Sequence, residues 1–281
     1  MTGNKIARTV EYFTGFLMIA GAFFVASAAY AGAWTQKEGV LQSITSLSTY
    51  RATKFLDAQG NKQPQLAYTK QELAQYAEYG LRDDITLGGQ LRLVHTLQDT
   101  ASGDDSADNL GDTDLFVRKR LWRDDFSVIS LQPGVTLPSP DDRTTTPKIG
   151  SDHPVYSLRA SYGRGFKLYD QLHYADITGG YLHRAGTPDD QLVLDTTVGL
   201  NLTEHWQIVP QLFITQGRHS IQTSSFTESS SNDYNLVKGQ FSVQYTTASY
   251  GAFQLGVFSH LTGKNTGQGK GALVSYIRNF E

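Results

Sequence analysis

Apolar and polar side chains alternate with period two in several separate segments of this chain, a spacing that sends neighbouring residues to opposite faces of an extended strand. Ile85, Leu87, Leu91 and Leu93 alternate with Thr86, Gly88, Gln90 and Arg92. Leu192, Leu194, Val198, Leu200 and Leu202 alternate with Asp195, Thr197, Gly199 and Asn201. Val237, Phe241, Val243 and Tyr245 alternate with Lys238, Gln240, Ser242 and Gln244, and Phe253, Leu255 and Val257 with Gln254 and Gly256. After residue 31 no run approaches the ~20 consecutive apolar residues of a membrane-spanning helix, so any crossing of a bilayer by this part must use strands.

A soluble sandwich also has one greasy and one wet face, so alternation alone does not separate it from a membrane barrel. Two features favour the barrel. The polar faces carry glutamine, threonine and glycine with isolated charges, which suits a wet lumen. The connections alternate between short and long, as in barrels with short periplasmic turns and longer outside loops. Short ones fall at 82–84, 123–125, 163–165, 203–205 and 246–251; polar, turn-rich stretches fall at 56–69, 98–111, 138–152, 185–190, 216–233 and 262–269. This predicts twelve strands, near 40–55, 70–81, 85–97, 112–122, 126–137, 154–162, 168–184, 191–202, 206–216, 234–245, 252–261 and 271–280. The expected fold is therefore an all-β, antiparallel transmembrane β-barrel. Lipid offers no partner to unpaired backbone groups, and closing the sheet removes its edges.

The first thirty-one residues differ from the rest. Lys5 and Arg8 precede an apolar run from Phe13 to Ala29, and Ala29-Tyr30-Ala31 supplies the small-residue pattern of a cleavage site. Residues 1–31 read as a secretory signal peptide and 32–281 as the barrel; the alternative is an uncleaved anchor. Losing Lys5, Arg8 and Glu11 leaves 22 basic against 26 acidic side chains. That acidic balance offers no field for a phosphate backbone, so nucleic acid is excluded as a partner. With no cysteine there is no disulfide framework. The 27 glycines, 15 tyrosines and 14 phenylalanines suit strands and tight bends.

Trp122 and Trp206 flank short connections, and Tyr30, Trp34, Tyr162, Tyr245 and Tyr250 lie near other predicted ends. Those kept after cleavage are candidates for an aromatic girdle, with ordinary packing as the alternative.

On the predicted inner faces lie Glu72, Glu78, Arg92, Arg118, Arg120, Arg159, Asp195 and Lys238, the candidate pore-lining set. Rings of charge decide which solutes pass, and the excess of arginine points to anionic or hydroxyl-rich ones. The alternative is that these residues bridge one another and fill the lumen. The stretch 99–114 carries Asp99, Asp104, Asp105, Asp108, Asp112 and Asp114, but its spacing does not fit a calcium loop, and it reads as a solvated outer loop. No metal and no cofactor is called for. Ser259-His260 and Ser151-Asp152-His153 are the nearest approach to catalytic residues. Adjacent strand residues point to opposite faces, so Ser259 and His260 do not make a nucleophile and base, and no G-x-S-x-G elbow occurs. The chain does not read as an enzyme.

The last ten residues before Glu281, Gly271 to Phe280, resemble the terminal strand by which outer-membrane barrels are recognised for insertion, although that signal usually ends on the aromatic. The chain also resembles the XagA-like proteins and the outer-membrane porins associated with the MetA pathway of phenol degradation. The resemblance rests on Ala33-Trp34-Thr35, Tyr50-Arg51-Ala52-Thr53-Lys54-Phe55, Asp57-Ala58-Gln59-Gly60-Asn61, Glu78-Tyr79-Gly80-Leu81, Ile85-Thr86-Leu87-Gly88 and His183-Arg184-Ala185-Gly186. It spans nearly the whole of 32–281 and implies a bacterial outer-membrane barrel that passes small solutes. The alternative it implies is a non-conducting accessory of exopolysaccharide export, cell aggregation or biofilm formation. Expected partners are outer-membrane lipid and lipopolysaccharide, the barrel-insertion machinery through the C-terminal strand, and small solutes or polysaccharide.

Overall fold

The computed structural model describes residues 32–101, 103–140, 147–186, 188–218 and 233–281. The expected signal peptide, 1–31, lies outside the described residues, as does most of the connection at 216–233. The described residues form thirteen strands: β1 (Leu41–Leu56), β2 (Lys62–Arg82), β3 (Ile85–Thr100), β4 (Gly103–Leu110), β5 (Thr113–Arg123), β6 (Ser127–Leu137), β7 (Val155–Leu168), β8 (Gln171–Arg184), β9 (Gln191–Asn201), β10 (Trp206–Gly217), β11 (Asn235–Thr246), β12 (Ala252–Lys264) and β13 (Thr266–Phe280).

Each pairs antiparallel with its neighbours, β1 pairs with both β2 and β13, and β2–β3 pairing closes the ring. β4 and β5 share one stave. β5 pairs with the lower part of β3, up to Gln90↔Asp114, and β4 with the upper part, from Leu93↔Leu110. Gly111, whose N–H donates to the Arg92 carbonyl at 2.8 Å, carries the break between them. The wall is thus a closed twelve-stave antiparallel barrel with both ends of the sheet on one side, the side of the short turns.

The faces are inverted relative to a soluble protein. Outward residues are large and apolar, with Leu255 67% and Val257 59% exposed, while Thr86, Ser242, Gln244, Gln254 and Ser275 on the inner face are at most 2% exposed. Only a lipid surround makes that arrangement favourable, since apolar area left in water forfeits roughly 25 cal/mol per Å². With this belt, the closed barrel is an outer-membrane protein.

Several expected boundaries change. Gly163-Arg164-Gly165 is not a turn; it lies inside β7, and the chain reverses at Tyr169 and Asp170 (φ 49° and 60°). Asp adopts left-handed backbone readily, so the turn forms without glycine. The stretches at 56–69, 98–111 and 262–269 are mostly strand, because β1–β2, β3–β4 and β12–β13 continue as ribbons; the first turns at 57–61 and the last at Asn265 (φ 49°). Polar composition there reflects residues wet on both faces of a ribbon.

Trp122, Trp206, Tyr245, Tyr250, Phe253 and Phe280 are exposed around the short-turn end and Tyr276 is half-buried beside them; Trp206 and Tyr245 lie 4.8 Å apart and Phe253 and Tyr276 5.0 Å. Trp34 is not part of that rim; it sits inside the barrel.

Candidate functional site: the barrel lumen

The staves place all eight candidate residues on the inner face, each in phase with buried neighbours on its strand. In the half of the lumen nearer the long connections, Arg92 reaches the Asp114 carboxylate (2.5 Å), the Asp112 carbonyl (2.7 Å) and, at 3.8 Å, Glu72, which also binds Lys70 at 2.7 Å. Arg159 pairs with Asp195 at 2.9 Å. Lys238 is held over the Phe213 ring at 4.2 Å and the Phe258 ring at 5.6 Å, cation–π contacts rather than an ion pair. Of these groups Arg92, Asp112, Asp114, Arg159, Asp195 and Phe213 line a cavity of about 480 Å³, whose wall also includes Tyr76 and Phe116.

Gly150 and Ser151, from the described part of the β6–β7 connection, line part of this cavity. Asp112 turns inward at the break in its stave and its carboxylate accepts the N–H groups of Ser139 (2.8 Å) and Ser151 (2.9 Å). Gly150, between them in space, lies where a Cβ would collide with Asp112. Asp112 and Asp114 therefore serve the lumen and are not part of a solvated outer loop. Among the described residues there is no cluster of three metal-ligating side chains.

Below the cavity the Tyr76 and Phe116 rings stack at 6.1 Å, and beneath them lies an ion pair sealed from solvent. Arg118 Nη1 meets Glu78 Oε1 at 2.8 Å, and Arg118 Nε donates to Gln132 Oε1 at 2.9 Å. Tyr76 donates its hydroxyl proton to Glu78. Such a pair survives burial only with further hydrogen bonds to both ions; Tyr76 and Gln132 supply them here, while Arg118 Nη2 is left without a partner.

The segment 32–40 enters the lumen from the short-turn end and completes that network. Arg118 Nη1 also donates to the Trp34 carbonyl at 2.9 Å, Gln36 Nε2 to Glu78 Oε2 at 2.8 Å, and Gln36 N–H to Thr86 Oγ1 at 2.8 Å. Arg120, the eighth candidate, donates from its guanidinium to the Thr35 hydroxyl at 3.4 Å and has no carboxylate partner among the described residues. The Trp34 ring meets Tyr174 edge-on at 5.7 Å and occupies the notch left by Gly163, where a Cβ would come within 2.6 Å of it. Gly80 likewise clears the path of the Lys37 carbonyl. The opposite wall of this lower half is neutral: Gln207, Gln211, Gln240, Gln244 and Gln254, with Thr197, Ser242 and Ser275, are all buried. Ser46 and Ser275 hydroxyls meet at 2.8 Å, and Gln240 Nε2 donates to Gln211 Oε1 at 2.8 Å.

Ser259 and His260 point to opposite faces; the Ser259 hydroxyl donates to the Gly269 carbonyl at 3.3 Å, while the His260 ring packs inside, tilted by 33°, against Tyr50 at 4.6 Å. Tyr76 was open to sequence reasoning, since it shares a face with Glu72 and Glu78. The segment 33–36 was not, because it has neither alternation nor charge to mark it.

No family model matches this chain, and no curated protein matches it. Solved structures do. The COG4313 outer membrane channel from Pseudomonas putida F1 superposes with a TM-score of 0.71 at 14% identity, over 89% of this chain and 99% of that one. The transport unit of the autotransporter AIDA-I from Escherichia coli gives 0.51 at 8% identity, over 91% and 95%. The NanC porin gives 0.50 at 8% identity, over 85% and 100%. At these identities the likeness is one of fold, and the fold is that of bacterial outer-membrane channels and porins.

Proposed function

We propose that this barrel is a porin-like channel for small solutes, related to the XagA-like and phenol-degradation-associated outer-membrane proteins that its sequence resembles. The observation that carries the reading is the cavity of about 480 Å³ inside a closed, lipid-belted wall, lined by both charged and aromatic groups. That volume is in the range of small-molecule sites. The guanidiniums of Arg92, Arg118 and Arg159 are matched by carboxylates, so they contribute little net field. Lys238 and Arg120 have no ion pair among the described residues and give the path its weak preference for anionic or hydroxyl-rich solutes. Nothing in the fold or its neighbours favours the accessory role in polysaccharide export. Single-channel conductance and reversal potential in planar bilayers test the reading. A small conductance with anion preference, reduced in Lys238→Ala and Arg120→Ala, is expected. A barrel that stays silent even after deletion of residues 32–38 rejects it.

A further inference from the structure

On the outer face of the wall, Arg51 on β1 stands directly opposite Lys270 on β13, and both side chains are exposed. They share their face with Leu47 and Val274, which are exposed members of the lipid belt. A shift of register between Ala52 and Lys54 then pairs Lys54 with Gln268, which brings a third exposed cation onto the same face. Like charges set directly across a ladder repel and destabilise it. Yet among the described residues none of these three has a carboxylate partner, whereas Arg92, Arg118 and Arg159 in the lumen all do.

Their height on the wall says what compensates them. Leu41↔Phe280 opens the same ladder at the short-turn end, and ten residues along it comes Arg51↔Lys270. Ten residues of strand rise about 33 Å, and the tilt of barrel strands, about 40°, reduces that to about 25 Å, the height of the apolar band. Arg51 and Lys270 therefore emerge where the outer leaflet gives way to its head groups. A guanidinium binds phosphate through paired N–H donors and an ammonium binds it as a point charge, so the two together suit a phosphate monoester.

We propose that Arg51, Lys270 and Lys54 form a docking site on the barrel's outer surface for a phosphate group of the glycolipid in the outer leaflet. The site is independent of what crosses the lumen.

The test uses the purified full barrel in a neutral, phosphate-free detergent. Native mass spectrometry follows binding of bisphosphorylated lipid A, dephosphorylated lipid A and inorganic phosphate. Bisphosphorylated lipid A should bind, and the double variant Arg51→Gln/Lys270→Gln should weaken it at least tenfold. Lys167→Gln, which removes an exposed cation at the opposite end of the barrel, should leave it unchanged. The double variant relieves repulsion, so its thermal midpoint without lipid should equal or exceed that of the parent. Equal binding of the dephosphorylated lipid, unchanged binding by the double variant, displacement of the lipid by millimolar inorganic phosphate, or a lowered midpoint would each overturn the proposal.

Discussion

Arg118 donates one guanidinium N–H to the carbonyl of Trp34, eighty-four positions earlier in the chain, at 2.9 Å, and the same nitrogen contacts Glu78 at 2.8 Å. One buried cation thus binds the barrel wall and the segment inside it. Arg118→Met leaves Glu78 buried without its partner, a change that costs about 3–5 kcal/mol. The double variant Arg118→Met/Glu78→Met should recover most of that loss. Urea unfolding of the barrel in lipid vesicles measures both, and equal stability of the two variants would show that the ions are not coupled.

Trp34 depends on an absence at Gly163. A Cβ there would come within 2.6 Å of the indole, so Gly163→Val must push the ring out of its notch. The expected results are a shift of Trp34 emission to longer wavelength, in a background with Trp122 and Trp206 replaced by Phe, and a larger single-channel conductance. Unchanged emission would mean that the ring does not occupy that notch.

The turn after β5 is held by a carboxylate. Asp124 accepts the N–H groups of Phe126 (2.8 Å) and Ser127 (2.6 Å), and these bonds hold its carboxyl below the ordinary aspartate value. Asp84 is held low as well, first by its hydrogen bond from Lys119. A depressed folded-state pKa stabilises at pH values above the unfolded one, about 3.9, and that stability is lost as pH falls through the folded value. Heat-modified gel mobility between pH 7 and pH 2 should show the loss at the acid end, and Asp124→Asn should flatten part of it.

Leu255 lies in the row Leu47–Val274–Leu255 at the middle of the belt and is 67% exposed. Arginine on the lipid face at mid-membrane costs about 2–4 kcal/mol, so Leu255→Arg should lower folding stability in vesicles by that amount. In detergent micelles, which deform around a charge, the effect should shrink. A cost equal in both media would remove the lipid as its cause.

What could be read in the chain was whatever obeys a short period. Ile85 to Leu93 alternates because one face of its stave meets lipid and the other the lumen, and every such segment appears as a strand. The same parity placed Glu72, Glu78 and Lys238 on the inner face. Connections were harder, since Tyr169-Asp170 turns without glycine or proline, while Gly163, the first of the two glycines read as a turn at 163–165, makes room for a tryptophan instead. The pairing of ions was not legible at all. Whether Arg159 meets Asp195 depends on the register of β7, β8 and β9, which follows from the whole ring rather than from any local stretch.

The neutral half-wall built from Gln207, Gln211, Gln240, Gln244 and Gln254 with serine and threonine has a chemical consequence. Carboxamides and alcohols neither gain nor lose protons in water near neutrality. A cell moving from alkaline to sour surroundings would thus find that side of the lumen wearing the same face, whatever happens to the acids and bases opposite.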